Sequence, residues 1–135
     1  MVYKEKIAAL FPAVTNEPIL RVNLNPGEKQ LSIPVYVSLF KINFEKDYTL
    51  TLSLRRENGD FVTSRDFKIL IPRSNKSGYI MADNSINISG NFTMGGVNLS
   101  HVKDGETLQI WGNLRSQVGF DPEASALTYF EIRLK

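Results

Sequence analysis

The chain has a single histidine, His101, in the stretch Asn98-Leu99-Ser100-His101-Val102-Lys103-Asp104. Serine, imidazole and carboxylate are the ingredients of nucleophilic catalysis, but their relay is set by three-dimensional geometry and not by adjacency along the chain. No Gly-x-Ser-x-Gly elbow presents a nucleophile. His101 is therefore expected to be a solvated loop residue. With one imidazole and no cysteine, a zinc site lacks its usual donors. Asp83-Asn84-Ser85, and Asp104 with Glu106, are the oxygen clusters a calcium ion would use. Both are read as turn residues bonding their own backbone. Gly95-Gly96 is followed by no Lys-Ser/Thr pair, so it starts no phosphate-binding loop. A carboxylate pair for glycoside hydrolysis needs two acids that meet in space, yet the fourteen acids fall mostly in turns or on polar strand faces. The expectation is a non-enzyme with no cofactor and no metal.

Binding chemistry is better represented. Arg55, Arg56 and Arg65 gather near one hairpin tip, with Lys68, Arg73 and Lys76 beyond them and Glu57, Asp60 and Asp66 interleaved. A solvated face explains this pattern, and an anion or nucleic-acid contact is its functional reading. Residues 1–76 carry 12 basic and 8 acidic side chains (+4), and residues 77–135 carry 4 and 6 (−2), a net +2. Nucleic-acid binders concentrate basic charge far more than this, so nucleic acid is not the expected partner.

Several aromatic side chains fall on the polar parity of otherwise alternating strands. Trp111 stands with Gln109 and Asn113, opposite Leu108, Ile110 and Leu114. Leu127 and Tyr129 oppose Ala126, Phe130 and Ile132, and Tyr36 opposes Val35 and Val37. A covering segment would bury such rings; otherwise they form an interaction surface, because clustered exposed aromatics mark a partner. Trp111, Tyr129, Tyr36 and Leu127 are taken as the contact residues of a non-catalytic module that self-associates or docks on another protein. A carbohydrate-binding module using the same rings is the alternative, and an anion binder using Arg55, Arg56 and Arg65 comes third.

The element that positions the arginines runs from Asp47 to Pro72. Tyr48, Leu50, Leu52 and Leu54 alternate with Thr49, Thr51 and Ser53, the period of a strand buried on one face. Asn58-Gly59 then signals a two-residue type I′ hairpin, in which both central residues take φ > 0. Folding about that pair sets Leu54 opposite Thr63, Leu52 opposite Arg65, Leu50 opposite Phe67 and Tyr48 opposite Ile69. Phe67, Ile69 and Ile71 then join the leucines on one face. Arg65 is the misfit, because this register aims it at the same face. A bulge that turns it out, or a core that ends there so the guanidinium snorkels past it, resolves the conflict.

The rest of the chain reads as β. Residues 2–11 fit a helix (Tyr3, Ile7, Leu10, Phe11) or a strand (Tyr3, Glu5, Ile7, Ala9, Phe11), and Pro12 is expected to end either. Leu20, Val22 and Leu24 alternate before Asn25-Pro26-Gly27-Glu28, a type II turn. Leu31 to Leu39 forms a long strand in which Pro34 argues for an edge or a bulge. After Leu39 the apolar parity passes to Phe40, Ile42 and Phe44, the mark of a bulge or a crossing between sheets. A polar loop spans Arg73 to Asn84, and Ile86 to Met94 is a further strand broken by Gly95-Gly96. Lys103-Asp104-Gly105 turns into the strand from Leu108 to Leu114, and Ala126 to Leu134 closes the chain after Asp121-Pro122. Seven or eight strands, with a short N-terminal helix as an option, predict an all-β, two-sheet antiparallel sandwich of immunoglobulin-like or jelly-roll type.

At 135 residues the chain is read as one domain, 1–135, able to bury roughly two-thirds of its unfolded surface. It has no cysteine, and its Asn-x-Ser/Thr triplets at Asn75, Asn87, Asn91 and Asn98 are read as loop and strand-exterior residues. No run approaches the ~20 apolar residues of a membrane-spanning helix, and MVYKEKIAAL lacks the apolar core of a leader. A cytoplasmic location is the expectation, with a virion or non-classical export also compatible. Such a domain would suit a bacterial or viral assembly or inhibitor protein.

Overall fold

The structure is a computed structural model that describes residues 5–14, 17–18, 21–24, 30–43, 47–69, 85–116 and 124–134. Among the described residues nine strands follow one another: β1 (Lys6–Val14), β2 (Glu17–Pro18), β3 (Arg21–Leu24), β4 (Gln30–Asn43), β5 (Tyr48–Arg56), β6 (Phe61–Ile69), β7 (Ser85–Asn98), β8 (Thr107–Ser116) and β9 (Ala124–Leu134). They form a four-stranded sheet, β2-β1-β4-β7, and a five-stranded sheet, β3-β9-β8-β5-β6. All pairs are antiparallel except β3 with β9. The architecture is the expected β-sandwich, with nine strands where seven or eight were read and no helix among the described residues.

Alternation fixes the core. Val35, Val37 and Leu39 from one sheet and Leu50, Leu52 and Leu54 from the other are almost fully buried, in one cluster with Leu108, Ile110, Leu114 and Ile132. Apolar burial on this scale is the main force holding two sheets face to face. At Gly112 the two sheets approach closely: a Cβ there would lie 3.2 Å from Leu10 Cδ2 and 3.4 Å from Ile7 Cδ1.

The N-terminal segment is a strand, and its helix-like spacing has a cause. The pairing of β1 with β4 shifts between Ile7 and Ala9, so Ile7 and Leu10, three residues apart, both pack towards Gly112. Pro12 does not end the strand, which continues to Val14. In β4 the parity change after Leu39 is a second bulge: Leu39 faces Ile88, and the next pair is Ile42 with Ile86. Lys41 takes φ +57° there, and its N–H donates to Asn87 Oδ1 (3.1 Å). Ile42 returns to the core, while Phe40 stays exposed. The strand does not cross sheets at this point; Phe44 lies outside the described residues. Pro34 lies in an interior strand and not at an edge. It is tolerated one residue beyond the last β1 partner, Val35 with Pro12, and close to a register shift between Leu31 and Ile33. Gly95-Gly96 does not break β7; the strand runs through it, with Gly96 at φ +61°.

The β5–β6 register is the expected one, from Tyr48 with Ile69 to Leu54 with Thr63. The turn is not type I′. Gly59 N–H donates to the Arg56 carbonyl (2.8 Å) and Arg56 N–H to the Asp60 carbonyl (2.8 Å), so three residues, Glu57 to Gly59, make the loop. Gly59 alone has φ > 0 (+96°), as in a type I turn closed by a glycine bulge. A shift between Leu54 and Arg55, where Arg55 faces Phe61, leaves Val62 as the extra residue and restores the register. Space around Gly59 is open, so Gly59→Val acts through backbone strain alone. It should lower stability by about 1–3 kcal/mol, read from the denaturation midpoint; an unchanged midpoint would show that the turn accommodates a β-branched residue. The turns expected at Asn25–Glu28 and Asp121-Pro122, the inward Ile71 and the polar loop Arg73–Asn84 lie outside the described residues.

Candidate interaction face

Two surfaces gather the side chains that could bind. One is a cleft of about 550 Å³ at the hairpin tip, lined by Arg56, Asp60, Phe61, Asn98, His101 and Val102. Its charged groups already have partners. Arg56 Nε donates to Glu106 Oε1 at 2.6 Å, with side chains 26% and 15% exposed. Glu106 Oε2 accepts from the Lys103 N–H (3.0 Å). Asp60 accepts from the Asn58 amide (3.1 Å). His101 is exposed in the adjoining turn, and no His, Cys, Asp or Glu cluster able to hold a metal occurs among the described residues. Glu106 thus pins the β7–β8 loop to β5, and Glu106→Ala leaves Arg56 half-buried without its counter-charge. We expect a loss of about 1–3 kcal/mol in chemical denaturation, whereas His101→Ala should leave stability and binding unchanged. A neutral Glu106→Ala would mean that solvent already replaces the pair.

The second surface is the outer face of the five-stranded sheet. Outward side chains form cross-strand rows: Ser64, Ser53, Trp111 and Leu127 in one, and Arg55, Gln109 and Tyr129 in the next. Trp111 and Leu127 are direct neighbours, with Tyr129 diagonal to Trp111, a separation that large side chains bridge. Leu127 is 37% exposed and Tyr129 50%. Trp111 is half-buried; its Nε1–H donates to Gln109 Oε1 (2.9 Å), and the Arg55 guanidinium lies 5.4 Å from its ring centroid. The ring is satisfied at its polar atom, and its π-face is occupied by a cation.

The four contact residues read from the sequence do not form one cluster. Trp111, Leu127 and Tyr129 come together on β8 and β9. Tyr36 lies on β4, in the other sheet, where its ring stacks on Phe11 (5.0 Å, 24°). The three arginines also separate. Arg55 turns outward to Trp111, and Arg56 pairs with Glu106. Arg65 reaches across the open side of the sandwich, its Nη1 bonding Thr63 Oγ1 and the Ser64 carbonyl (2.9 Å) and its Nη2 bonding the Gly95 carbonyl of β7 (2.9 Å). No bulge rotates it away; it closes the edge beside the Phe67–Phe92 contact (5.3 Å). One residue escaped notice: Arg115 shares the outward parity of Trp111 and Asn113 on β8. That alternation was visible, but its neighbours on β5 and β6 depend on strand order.

No family model and no curated protein matches the chain. Solved structures do. A bacterial adhesin from Mobiluncus mulieris superposes with a TM-score of 0.67 at 12% identity, over 96% of this chain and 58% of that one. A Bacteroides uniformis β-glucuronidase gives 0.60 at 10% identity, over 93% of this chain and 14% of that one. A glycoside hydrolase family 2 β-glucuronidase gives 0.63 at 9%, over 96% and 13%. The chain therefore spans less than two-thirds of each of these chains, and likeness at such identities establishes a shared β-sandwich fold alone.

Proposed function

We propose that the domain is a non-catalytic binding module that docks on another protein through the outer face of its five-stranded sheet, with Trp111 at the centre. The carrying observation is that Trp111, Leu127 and Tyr129 lie side by side on adjacent strands while the core is complete without them. Aromatic and aliphatic side chains in such a patch gain more from a partner surface than from water. The sandwich recurs within adhesin and β-glucuronidase chains, which fits a fold used as a module. Carbohydrate binding on the same face is the second reading, favoured by the half-exposed Tyr129 ring. Against it, the Arg55 guanidinium lies over the Trp111 ring and would compete with a stacked sugar. Peptide and glycan arrays probed with the intact chain separate the readings. Binding to peptides supports docking on protein, binding to glycans alone moves the assignment to the second reading, and binding to neither removes both.

A further inference from the structure

Around Trp111 the outer face carries positive charge that no ion pair among the described residues neutralises. The Arg55 guanidinium lies over the Trp111 ring, and its Nε is shielded from solvent with no hydrogen-bond partner among the described residues. Arg115 Nε is in the same condition. Arg115 and Lys68 flank Thr49, one on each neighbouring strand, and neither makes an ion pair among the described residues. A carboxylate on this part of the face, Asp66, accepts from Thr51 Oγ1 (2.7 Å). Elsewhere arginines meet partners: Arg56 pairs with Glu106, Arg133 with Glu131 (2.9 Å), and Arg21 with Glu131 (3.5 Å). A polar atom out of reach of water and of any acceptor costs free energy until an acceptor arrives.

We infer that the partner on this face is an acidic protein segment whose carboxylates pair with Arg55 and Arg115 on either side of Trp111; this rests on the docking role proposed above. Arg55 faces Gln109, and Arg115 is six residues further along β8, about 20 Å at the rise of a strand. A short extended segment bridges that distance, with apolar side chains against Trp111 and Leu127 between its acids. Bidentate carboxylate pairing suits the fork of a guanidinium. The same charge disfavours a second copy of the chain packed face to face, because two-fold pairing of one patch brings its cations together. Nucleic acid fits poorly, since three cations over this span, interleaved with Asp66 and uncharged hydroxyls, are too sparse to track a phosphate backbone.

Trp111 is the sole tryptophan, so its emission reports this face directly. The intact chain is titrated with a peptide of alternating glutamate and leucine, with the same peptide carrying glutamine for glutamate, and with oligogalacturonate. We expect saturable binding of the acidic peptide, and none of its neutral counterpart at the same concentration. Affinity should fall about tenfold in Arg55→Gln/Arg115→Gln and stay within about twofold in Lys6→Gln/Lys103→Gln, which removes the same charge elsewhere. Arg115→Gln alone, which keeps the Arg55–Trp111 contact, should show part of the loss. Equal binding of the neutral peptide, or equal losses in both double variants, overturns the acidic-segment inference while the docking face stands. Tighter, arginine-dependent binding of oligogalacturonate overturns it in favour of an acidic glycan. No change in emission with any probe counts against the face itself.

Discussion

Leu52→Ala should lower the free energy of unfolding by about 2–5 kcal/mol, towards the upper end of that range. Leu52 is fully buried in the middle of β5, between Arg65 on β6 and Gly112 on β8. The cost of truncation depends on how far the neighbours can collapse into the space left behind. Here they can do little. Gly112 has no side chain, and the space above it is already taken by Ile7 and Leu10 from the opposing sheet. Arg65 is held at the sandwich edge by the Thr63, Ser64 and Gly95 oxygens. Domains of this kind are stable by about 5–15 kcal/mol in total, so the variant should unfold at markedly lower denaturant concentration with an unchanged slope. A loss below about 1 kcal/mol would mean that the sheets close over the gap and that their separation is not fixed by this row.

Trp111→Ala should do the opposite, sparing the fold and weakening partner binding by at least about 1–2 kcal/mol. The ring sits on the outer parity of β8, whose core face is held by Leu108, Ile110 and Leu114. Its removal exposes Leu127 and frees Arg55, changes confined to the surface. At an interface the same truncation removes a large amphipathic side chain, the type that dominates binding energy. Tyr36→Ala is the matched comparison, because it removes an outward aromatic from the other sheet and should leave that affinity unchanged.

Much of the fold was legible because alternation is a local property. The leucines of β5, their partners on β6 and the outward parity of Trp111, Leu127 and Tyr129 all follow from counting in twos. The count failed where the backbone inserts residues. The β1 bulge gives Ile7 and Leu10 a helix-like spacing, and Phe40–Lys41 displaces the parity of β4. The hairpin register was right although its turn was not, since a three-residue loop and the extra Val62 offset each other. Strand order was not legible at all. It sends Tyr36 to the opposite face of the molecule, lets the parallel pair of β3 with β9 form, and brings Arg55 from β5 onto Trp111 of β8. The three arginines looked like one patch because they are near in sequence. Their parities and their partners Trp111, Glu106 and Gly95 pull them apart.

The proposed binding runs through the Trp111 face. Its most direct test is the affinity of the wild type and of Trp111→Ala, measured by calorimetry, for the peptide that the wild type binds most tightly on the array. A loss of roughly five- to thirty-fold, the equivalent of about 1–2 kcal/mol, is expected, with the folded baseline intact. Equal affinities, or a variant that no longer folds, would contradict it: the first would move the contact to another surface, and the second would make Trp111 a residue of the core.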